Sequence, residues 1–208
     1  MRLENTENTD KNNRKVGNAA SKLVQCVREL YGLGLTSSIS GNHSIRLGND
    51  MMLITPTGVP RYNLKASDLV RINLQTGNVY GNFKPTIEWQ MHRDIYRKTN
   101  SRAVVHTHSP FTLGVAISSN FRHVIEEAKF VVGNPVIIKH LPSGSAKLAQ
   151  EVSSIFGSSK TRAVIIRNHG VVAVGGDIDE ARGVVESLEE WSKILAVAKI
   201  FGGAKYHL

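Results

Sequence analysis

The segment AVVHTHSP, residues 103–110, places two histidines on one short extended run near the middle of the chain. Side chains alternate between the two faces of a β-strand, so His106 and His108 would point to one side and Thr107 to the other. Two imidazoles on one face can share a metal ion. A histidine at a sheet edge is more often a hydrogen-bonded structural residue, so a metal site requires further ligands elsewhere in the chain.

The composition is that of a globular protein with one core. A length of 208 residues fits a single domain, and contents of 41% hydrophobic and 21% charged residues are ordinary for soluble proteins. No apolar run is long enough to span a bilayer, and the polar N-terminus does not resemble a secretory signal. We therefore expect a cytoplasmic protein with no membrane partner. The single cysteine, Cys26, cannot form an intramolecular disulfide and is predicted to be buried.

The net charge of +9 raises the question of a nucleic-acid partner. The basic residues are scattered, and no basic block or aromatic stacking motif accompanies them. The charge pattern therefore favours a solvated basic surface that steers an anionic metabolite, and we expect no nucleic-acid partner.

Periodicity in the sequence predicts helices mixed with strands and hairpins. Residues 1–13 are polar and aperiodic and are predicted to form a mobile tail, which leaves 14–208 as one domain. Apolar residues at three- and four-residue spacing predict helices at 16–31, 87–96, 111–117, 145–156 and 177–201. Alternating or apolar runs predict strands at 44–47, 51–55, 69–74, 79–80, 103–108, 136–139, 163–167 and 171–174. This order indicates an α/β or α+β sandwich, with 120–134 left unassigned.

A third histidine and a glutamate complete a candidate metal site. His169 lies in RNHG, residues 167–170, at a tight turn between two predicted buried strands. Three neutral histidines with a vacant fourth position are typical of a catalytic zinc site. Glu88 lies at the start of a predicted helix shortly before the His-x-His strand. It could move protons at the metal site, or it could simply stabilise the helix by interacting with the helix dipole. His92, one turn later, is interpreted as structural.

Five motifs in order resemble one known family. They are GN at 41–42, ITPTG at 54–58, KPTIE at 84–88, HTH at 106–108 and NHG at 168–170. Together they resemble the class II aldolase/adducin family, over about Val16 to Phe201, and within it the aldolases of ketose 1-phosphates. The resemblance implies an α/β fold, a three-layer α/β/α sandwich with a central mixed, largely antiparallel sheet. It also implies a homotetramer with active sites at subunit interfaces.

The resemblance further implies a role for each matching residue. His106, His108 and His169 would bind one Zn²⁺ per subunit, and Glu88 would act as the catalytic acid/base. The phosphate of a sugar phosphate substrate would contact Asn42, Thr57, Gly58 and Thr86. The implied reaction cleaves a ketose 1-phosphate to dihydroxyacetone phosphate and a short aldehyde.

Three departures from the family pattern affect this expectation. Ile39 and Ile87 stand where hydroxyl side chains are common, and a hydrogen bond to a charged group is worth about 1.5–3 kcal/mol. Their presence predicts a weaker or reshaped phosphate site. A tyrosine that protonates the leaving aldehyde has no counterpart, so Glu126, Glu127 and Tyr206 are the candidates for a second acid/base, and the two glutamates could equally form a solvated acidic turn.

Two alternatives remain open on the same residues. The metal site could serve a methylthioribulose-1-phosphate dehydratase or a ribulose-5-phosphate 4-epimerase, since both reactions need the same ligands. A non-catalytic module similar to the adducin head is the other alternative. That module would be expected to lack metal ligands, whereas this chain has all three histidines.

Overall fold

The computed structural model describes residues 2–118, 121–206 and 208. Its helices are α1 (Arg2–Gly32), α2 (Trp89–Lys98), α3 (Pro110–Ser118), α4 (Glu126–Val131), α5 (Ala146–Ser158) and α6 (Ile178–Ile200). Its strands are β1 (Asn42–Leu47), β2 (Met51–Ile54), β3 (Val70–Asn73), β4 (Val79–Tyr80), β5 (Ala103–Thr107), β6 (Val136–Ile138), β7 (Ala163–Ile166) and β8 (Gly170–Gly175).

The strands form one eight-stranded sheet in the order β4-β3-β2-β1-β5-β8-β7-β6. β6 pairs with β7 in parallel, and the other neighbours pair antiparallel. The central strand β5 places His106 opposite Asn42 of β1 and Val172 of β8. The mixed, largely antiparallel sheet that we predicted is confirmed.

Two hydrophobic cores lie on opposite faces of the sheet, because successive side chains of each strand point to opposite sides. One core packs Val105 of β5 against α1, α3, α4 and α6, with the large side chains of Leu23, Leu30 and Trp191 inside. The other packs Val104 against α2 and α5, with Met91, Ile95 and Phe156 inside. Helices therefore cover both faces, which confirms the three-layer α/β/α sandwich.

Several predicted boundaries differ from the observed ones. α1 begins at Arg2, so a helix runs through the segment for which we predict a mobile tail, while Met1 lies outside the described residues. The mobility of that segment stays a prediction. α4 occupies part of the unassigned segment 120–134. In the described part of the chain, no helix has the length and apolar character needed to cross a membrane.

Cys26 is a residue of α1 that faces the core and is buried. Burial raises the pKa of its thiol to about 12, so the side chain stays a neutral thiol at physiological pH. The prediction of a buried, unreactive cysteine agrees with this position.

Candidate active site

Three histidine side chains converge at the end of the central strand, on the α2/α5 side of the sheet. His106 is the fourth residue of β5, His108 follows one residue after the strand ends, and His169 lies in the turn between β7 and β8. Their ring centroids are 5.0 to 5.4 Å apart in all three pairs. The structure thus brings together the three residues that we predict as metal ligands.

The backbone of the β7–β8 turn makes this convergence possible. Asn168 adopts a left-handed conformation with a φ of 59°, a region that asparagine tolerates better than most residues. Gly170 follows, and a Cβ atom there would lie 2.5 Å from the carbonyl oxygen of Thr107 and 2.6 Å from Cε1 of His106. Only a residue without a side chain lets the turn approach β5 this closely.

A buried carboxylate from the last helix fixes the chain just beyond His108. Helix α3 begins at Pro110, and its first amides, those of Phe111 and Thr112, donate hydrogen bonds to the two carboxylate oxygens of Glu189 at 3.0 and 2.8 Å. The hydroxyl of Thr112 donates a third, at 2.8 Å. Before the helix, the amide of His108 donates to the carbonyl of Leu35. Contacts on both sides therefore hold His108 in place.

The histidine cluster fits a divalent metal. The Nε2 atoms of His106 and His108 are 3.3 Å apart. Two nitrogens bound to one tetrahedral zinc at about 2.0–2.1 Å lie about 3.3 Å from each other. One ligand atom from each of the three histidines lies within 4.8 Å of the others. Nδ1 of His106 donates to the carbonyl of Val171 at 2.9 Å, which fixes this ring so that Nε2 faces the cluster.

Protonation of the cluster is set by burial and by the neighbouring charges. Burial, with the charge of His106, lowers the pKa of His108 and of His169 to about 4, so both rings are neutral at pH 7 and able to bind a metal. Burial alone would lower the pKa of His106 too, but the charge and hydrogen bond of Glu88 and the bond to Val171 raise it. Glu88 therefore favours the protonated form of His106 more than burial alone would.

Glu88 lies against the histidine cluster and does not cap its helix. It occupies the position before α2, where its carboxylate makes no capping hydrogen bond, and its side chain is 4% exposed. Oε2 is 3.2 Å from Nε2 of His106, and Oε1 is 3.4 Å from Nε2 of His169. Burial alone would raise the pKa of Glu88, but the charge of His106 and hydrogen bonds from His106 and Asn42 outweigh it and lower the pKa.

A buried hydrogen-bond chain orients Glu88 from behind. Nδ2 of Asn42 donates to Oε2 of Glu88 at 2.9 Å, which turns Oδ1 of Asn42 toward Nε2 of His92 at 2.7 Å. Because an amide oxygen only accepts, Nε2 of His92 carries the hydrogen and Nδ1 accepts from Ser44, also at 2.7 Å. Tyr96 completes the chain with its hydroxyl 2.7 Å from that of Ser44. The direction of every bond up to Ser44 follows from the carboxylate.

The residues predicted to bind phosphate lie in adjacent segments beside Glu88. Thr57 and Gly58 are exposed in the turn after β2, whereas Thr86 is buried two residues before Glu88. Pro56 and Pro85 form an isolated β-bridge that joins the two segments, and the Thr57 amide donates to the carbonyl of Lys84. Asn42 is the first residue of β1, and its side chain donates to the carboxylate of Glu88. The phosphate role of these four residues stays a prediction.

The departures from the family pattern have distinct positions. Ile39 and Ile87 are 71% and 62% exposed, so both apolar side chains project from the loops that would surround a phosphate. Glu126 and Glu127 lie in the first turn of α4, which packs on α6, and Tyr206 is 89% exposed near the C-terminus. Within the described part of this single chain, none of these three contacts the histidine cluster.

Sequence reasoning missed one residue at the site, Ser143, and the link between His92 and Glu88. His92, interpreted as structural, is fully buried and hydrogen-bonded to Asn42. Its spacing of four residues from Glu88 was the available signal, because residues at i and i+4 share a helix face. Ser143 lies with its hydroxyl 3.1 Å from Nε2 of His169, in a loop that carries no periodic or motif signal.

Comparison with known proteins agrees with this geometry. The sequence model of the class II aldolase and adducin N-terminal domain matches residues 21–196. The chain belongs to this family. The L-fuculose phosphate aldolase of Methanococcus maripaludis is 36% identical over 176 residues, covering 84% of this chain and 94% of the relative. The 3-oxo-tetronate 4-phosphate decarboxylase of Haemophilus influenzae is 33% identical over 179 residues, covering 83% and 84% respectively.

Solved structures of the class II aldolase family share the fold. The crystal structure of l-fuculose-1-phosphate aldolase from Thermus thermophilus superimposes with a TM-score of 0.80 at 27% identity, covering 92% of this chain and 100% of that one. The family predicted from the order of five motifs is therefore confirmed. Fuculose-phosphate aldolases are among the family members that this chain resembles. Family members also include a decarboxylase, so family membership alone does not determine the reaction.

Proposed function

We propose that this chain is a zinc-dependent aldolase that cleaves a ketose 1-phosphate, such as L-fuculose 1-phosphate, to dihydroxyacetone phosphate and a short aldehyde such as L-lactaldehyde. One observation carries the proposal. The buried carboxylate of Glu88 lies within 3.4 Å of two of the three converging histidines. A carboxylate beside a group of metal ligands can exchange a proton with a substrate bound there.

The residues that would hold the metal are His106, His108 and His169, each through an imidazole nitrogen. The donor set is uncharged, so a bound Zn²⁺ would keep its full charge and polarise the C2 carbonyl of the ketose. The buried position of His106 keeps bulk water from that side of the site. To hold a metal, Nε2 of His106 would have to be free of a proton, and Glu88, 3.2 Å away, would then be free to act as the acid/base.

The two oxygens of Glu88 have different surroundings. Oε2 accepts the hydrogen bond from Asn42, whereas Oε1 is buried and accepts none among the described residues. Oε1 is therefore the oxygen suited to exchanging a proton. In the cleavage direction, Glu88 first takes up a proton from water. The C3–C4 bond then breaks, the electron pair stays on C3, and Oε1 delivers that proton to C3. A second group must remove the proton of the C4 hydroxyl, and Glu126, Glu127 and Tyr206 remain the candidates.

We assign the phosphate to the loops around Thr57, Gly58 and Thr86, with Asn42 at their inner edge. The exposure of Thr57 and Gly58 and their bridge to the segment before Glu88 support this assignment. A phosphate held there would lie on the same side of the sheet as the carboxylate. Because Ile39 and Ile87 cannot donate side-chain hydrogen bonds, phosphate binding here would depend more on backbone amides than in a site with hydroxyl side chains at these positions.

The test of the proposed function is the variant Glu88→Gln with its zinc content measured. We expect turnover to fall by about 10²- to 10⁴-fold, the usual contribution of a general acid/base, while zinc is retained. Glu190→Gln, which changes an exposed glutamate on α6, is the matched control and should behave as wild type. Unimpaired turnover of zinc-loaded Glu88→Gln would exclude Glu88 as the acid/base.

A second reaction at the same site is favoured by the decarboxylase relative. Decarboxylation also leaves an electron pair on a carbon beside a polarised carbonyl, so it needs the same metal ligands and the same proton donor. Dehydration of methylthioribulose 1-phosphate and 4-epimerisation of ribulose 5-phosphate share this requirement. Product analysis separates the four reactions. An aldolase releases dihydroxyacetone phosphate with an aldehyde and no carbon dioxide, whereas decarboxylation of a 3-oxo-tetronate 4-phosphate releases dihydroxyacetone phosphate together with carbon dioxide. Dehydration gives a product that has lost water, and epimerisation gives only an isomer of the substrate.

We further propose a cytoplasmic homotetramer with active sites at the subunit interfaces. Ile200, Phe201 and Tyr206 at the C-terminal end of the chain are each at least 79% exposed, and such apolar side chains suit a contact between copies of the chain. Sedimentation velocity of the purified protein would decide the oligomeric state, with a single species at monomer mass as the contradicting result.

A further inference from the structure

Arg61 is a buried cation whose every N–H group binds a backbone carbonyl. It begins a short 3-10 helix, Arg61–Asn63, and its side chain is 3% exposed. Nε donates to Ser40, Nη1 to Pro56 and Val59, and Nη2 to Ile39 and Gly41, at 2.7 to 3.3 Å. A guanidinium has five N–H donors, so this set uses all of them.

These carbonyls come from two loops that are distant in sequence. One loop, residues 39–41, leads directly into Asn42, and the other, residues 56–59, contains Thr57 and Gly58. The backbone amide of Arg61 also donates to the carbonyl of Ser38, which adds a further tie to the first loop. Arg61 is therefore the connection that sets how the two loops lie relative to each other.

The charge of Arg61 has no acidic partner. In the described part of the chain, no carboxylate forms an ion pair with the guanidinium. Burial, and then the charge of Arg61, hold the pKa of the neighbouring His43 well below its usual value, so that side chain is neutral. A buried guanidinium without a counter-ion leaves a net positive charge directly behind the two loops.

The peptide groups that bind Arg61 are oriented with their N–H ends away from the guanidinium. No peptide bond described here is cis, and in a trans peptide the C=O and N–H groups point in opposite directions. Carbonyls that face Arg61 therefore turn the amides of the following residues away from it, except after Val59, where Pro60 has no N–H group. The amide of Gly41 is one example, since the carbonyl of Ser40 accepts from Nε. Two of these amides already have partners, since Ser40 donates to Oγ of Ser37 and Thr57 donates to the carbonyl of Lys84. The positive ends of these peptide dipoles point away from the guanidinium, an arrangement that binds anions.

We infer that Arg61 is a positioning and specificity residue that shapes the two loops into a site for the phosphate group of the substrate and supplies its uncompensated positive charge. This inference rests on the proposed phosphate site. It explains how the site can function with Ile39 and Ile87 in place of hydroxyl side chains, because a fixed positive charge behind the loops offsets the missing hydrogen bonds.

Inorganic phosphate is the probe that tests Arg61 without relying on catalysis. Zinc-loaded wild type, Arg61→Met and Arg61→Lys are titrated with phosphate by calorimetry, and zinc content is measured for each. We expect Arg61→Met to bind phosphate about tenfold or more weakly with zinc retained, and Arg61→Lys, which keeps the charge but has fewer donors, to lie between. Wild-type affinity in Arg61→Met, or no phosphate binding by wild type, would overturn the inference.

Arg46→Met is the matched control. Arg46 also donates from its guanidinium to three backbone carbonyls, those of Tyr96, Thr99 and Asn49, at the other end of β1. Its loss should lower the melting temperature while phosphate affinity stays within about twofold of wild type. Equal weakening in Arg46→Met would assign the effect to general stability and would reject the specific role. If Arg61→Met does not fold, the phosphate affinity of Arg61→Lys is compared with that of Arg46→Lys. Equal affinities of these two variants would then reject the specific role of Arg61.

Kinetics distinguish this inference from the proposed function. With an accepted ketose 1-phosphate, Arg61→Lys should raise KM by about the factor by which it weakens phosphate binding, and kcat should stay within about threefold. A large fall in kcat at unchanged KM would contradict a phosphate role. If phosphate binding depends on Arg61 but no ketose 1-phosphate is cleaved, the inference holds and the proposed reaction is wrong.

Discussion

Asn42 donates a hydrogen bond to the buried carboxylate of Glu88, and the two residues are separated by 46 positions in the sequence. This contact makes Asn42 an orienting group for the proposed base as well as a predicted phosphate contact. Replacing it with leucine keeps the approximate volume but removes the bonds to Glu88 and His92. A hydrogen bond to a charged group is worth about 1.5–3 kcal/mol, so we expect kcat to fall by about 10- to 100-fold.

The comparison variant for Asn42→Leu is Thr57→Val, which removes an exposed hydroxyl from the phosphate loop. It should raise KM with little change in kcat, because its contact would be made equally in the ground state and the transition state. A rise in KM alone for Asn42→Leu would instead show that phosphate binding is its main role.

The protonation of His92 should make stability depend on pH. Burial, with the charge of His106, lowers the pKa of His92 from 6.5 to about 3. Below pH 6.5 the unfolded chain therefore binds a proton that the folded chain does not, and stability falls with falling pH. For this one histidine the slope approaches about 1.4 kcal/mol per pH unit. Urea unfolding of the metal-free protein at pH 7, 6 and 5 measures it.

His92→Gln isolates the contribution of that ring. The lowered pKa values of His43, His108 and His169 act in the same direction, and the raised pKa of His106 acts in the opposite one. All four are present in both proteins, so the difference in slope belongs to His92. Identical pH dependence of the two proteins would mean that His92 titrates normally in the folded state.

Gly170→Ala should disrupt the metal site and the fold together. The added methyl group would lie 2.5 Å from the Thr107 carbonyl, 2.6 Å from Cε1 of His106 and 3.1 Å from Cδ2 of His108. Overpacking of this kind costs about 1–3 kcal/mol, and the movement of two rings should reduce zinc content. Gly183→Ala, with nothing within 4 Å of the new atom, should gain up to about 1 kcal/mol. Full zinc occupancy in Gly170→Ala would disprove the close approach.

Metal removal should abolish activity reversibly. A chelator should inactivate the enzyme, and added zinc should restore it. Zinc at about 1,000 times its dissociation constant should stabilise the folded state by about 4 kcal/mol, measured as a shift in the unfolding midpoint. His108→Ala should lose both effects, whereas the exposed His140→Ala, outside the cluster, should keep them. Zinc binding by His108→Ala at wild-type affinity would contradict the ligand assignment.

Local patterns in the sequence predicted most of the elements, because each reflects a face that is buried in the fold. Spacing of three and four residues identified the core-facing side of α1, where Leu23, Val27 and Leu30 are fully buried. Strand alternation likewise explains why His106 and His108 lie together although β5 ends at Thr107. The six-residue α4 was missed because it is too short to show a period.

The interactions that orient the site were beyond local reasoning because they join distant segments. The hydrogen-bond chain from Glu88 to Ser44 requires β1 to pair with β5 and α2 to pack on that face of the sheet. Neither contact can be predicted from a local sequence pattern. Arg61 shows the same limit, because its partners are backbone carbonyls, which every residue possesses. A motif identifies the metal ligands, whereas their support is visible only after folding.

The carboxylate of Glu189, which caps α3 beside His108, also constrains the order in which the protein can mature. The capping residue lies in the last helix, far beyond His169 in the sequence. A nascent chain on the ribosome can therefore contain all three histidines while the amides that follow His108 still lack their partner. We expect stable zinc binding only after α6 has left the ribosome and packed on α3.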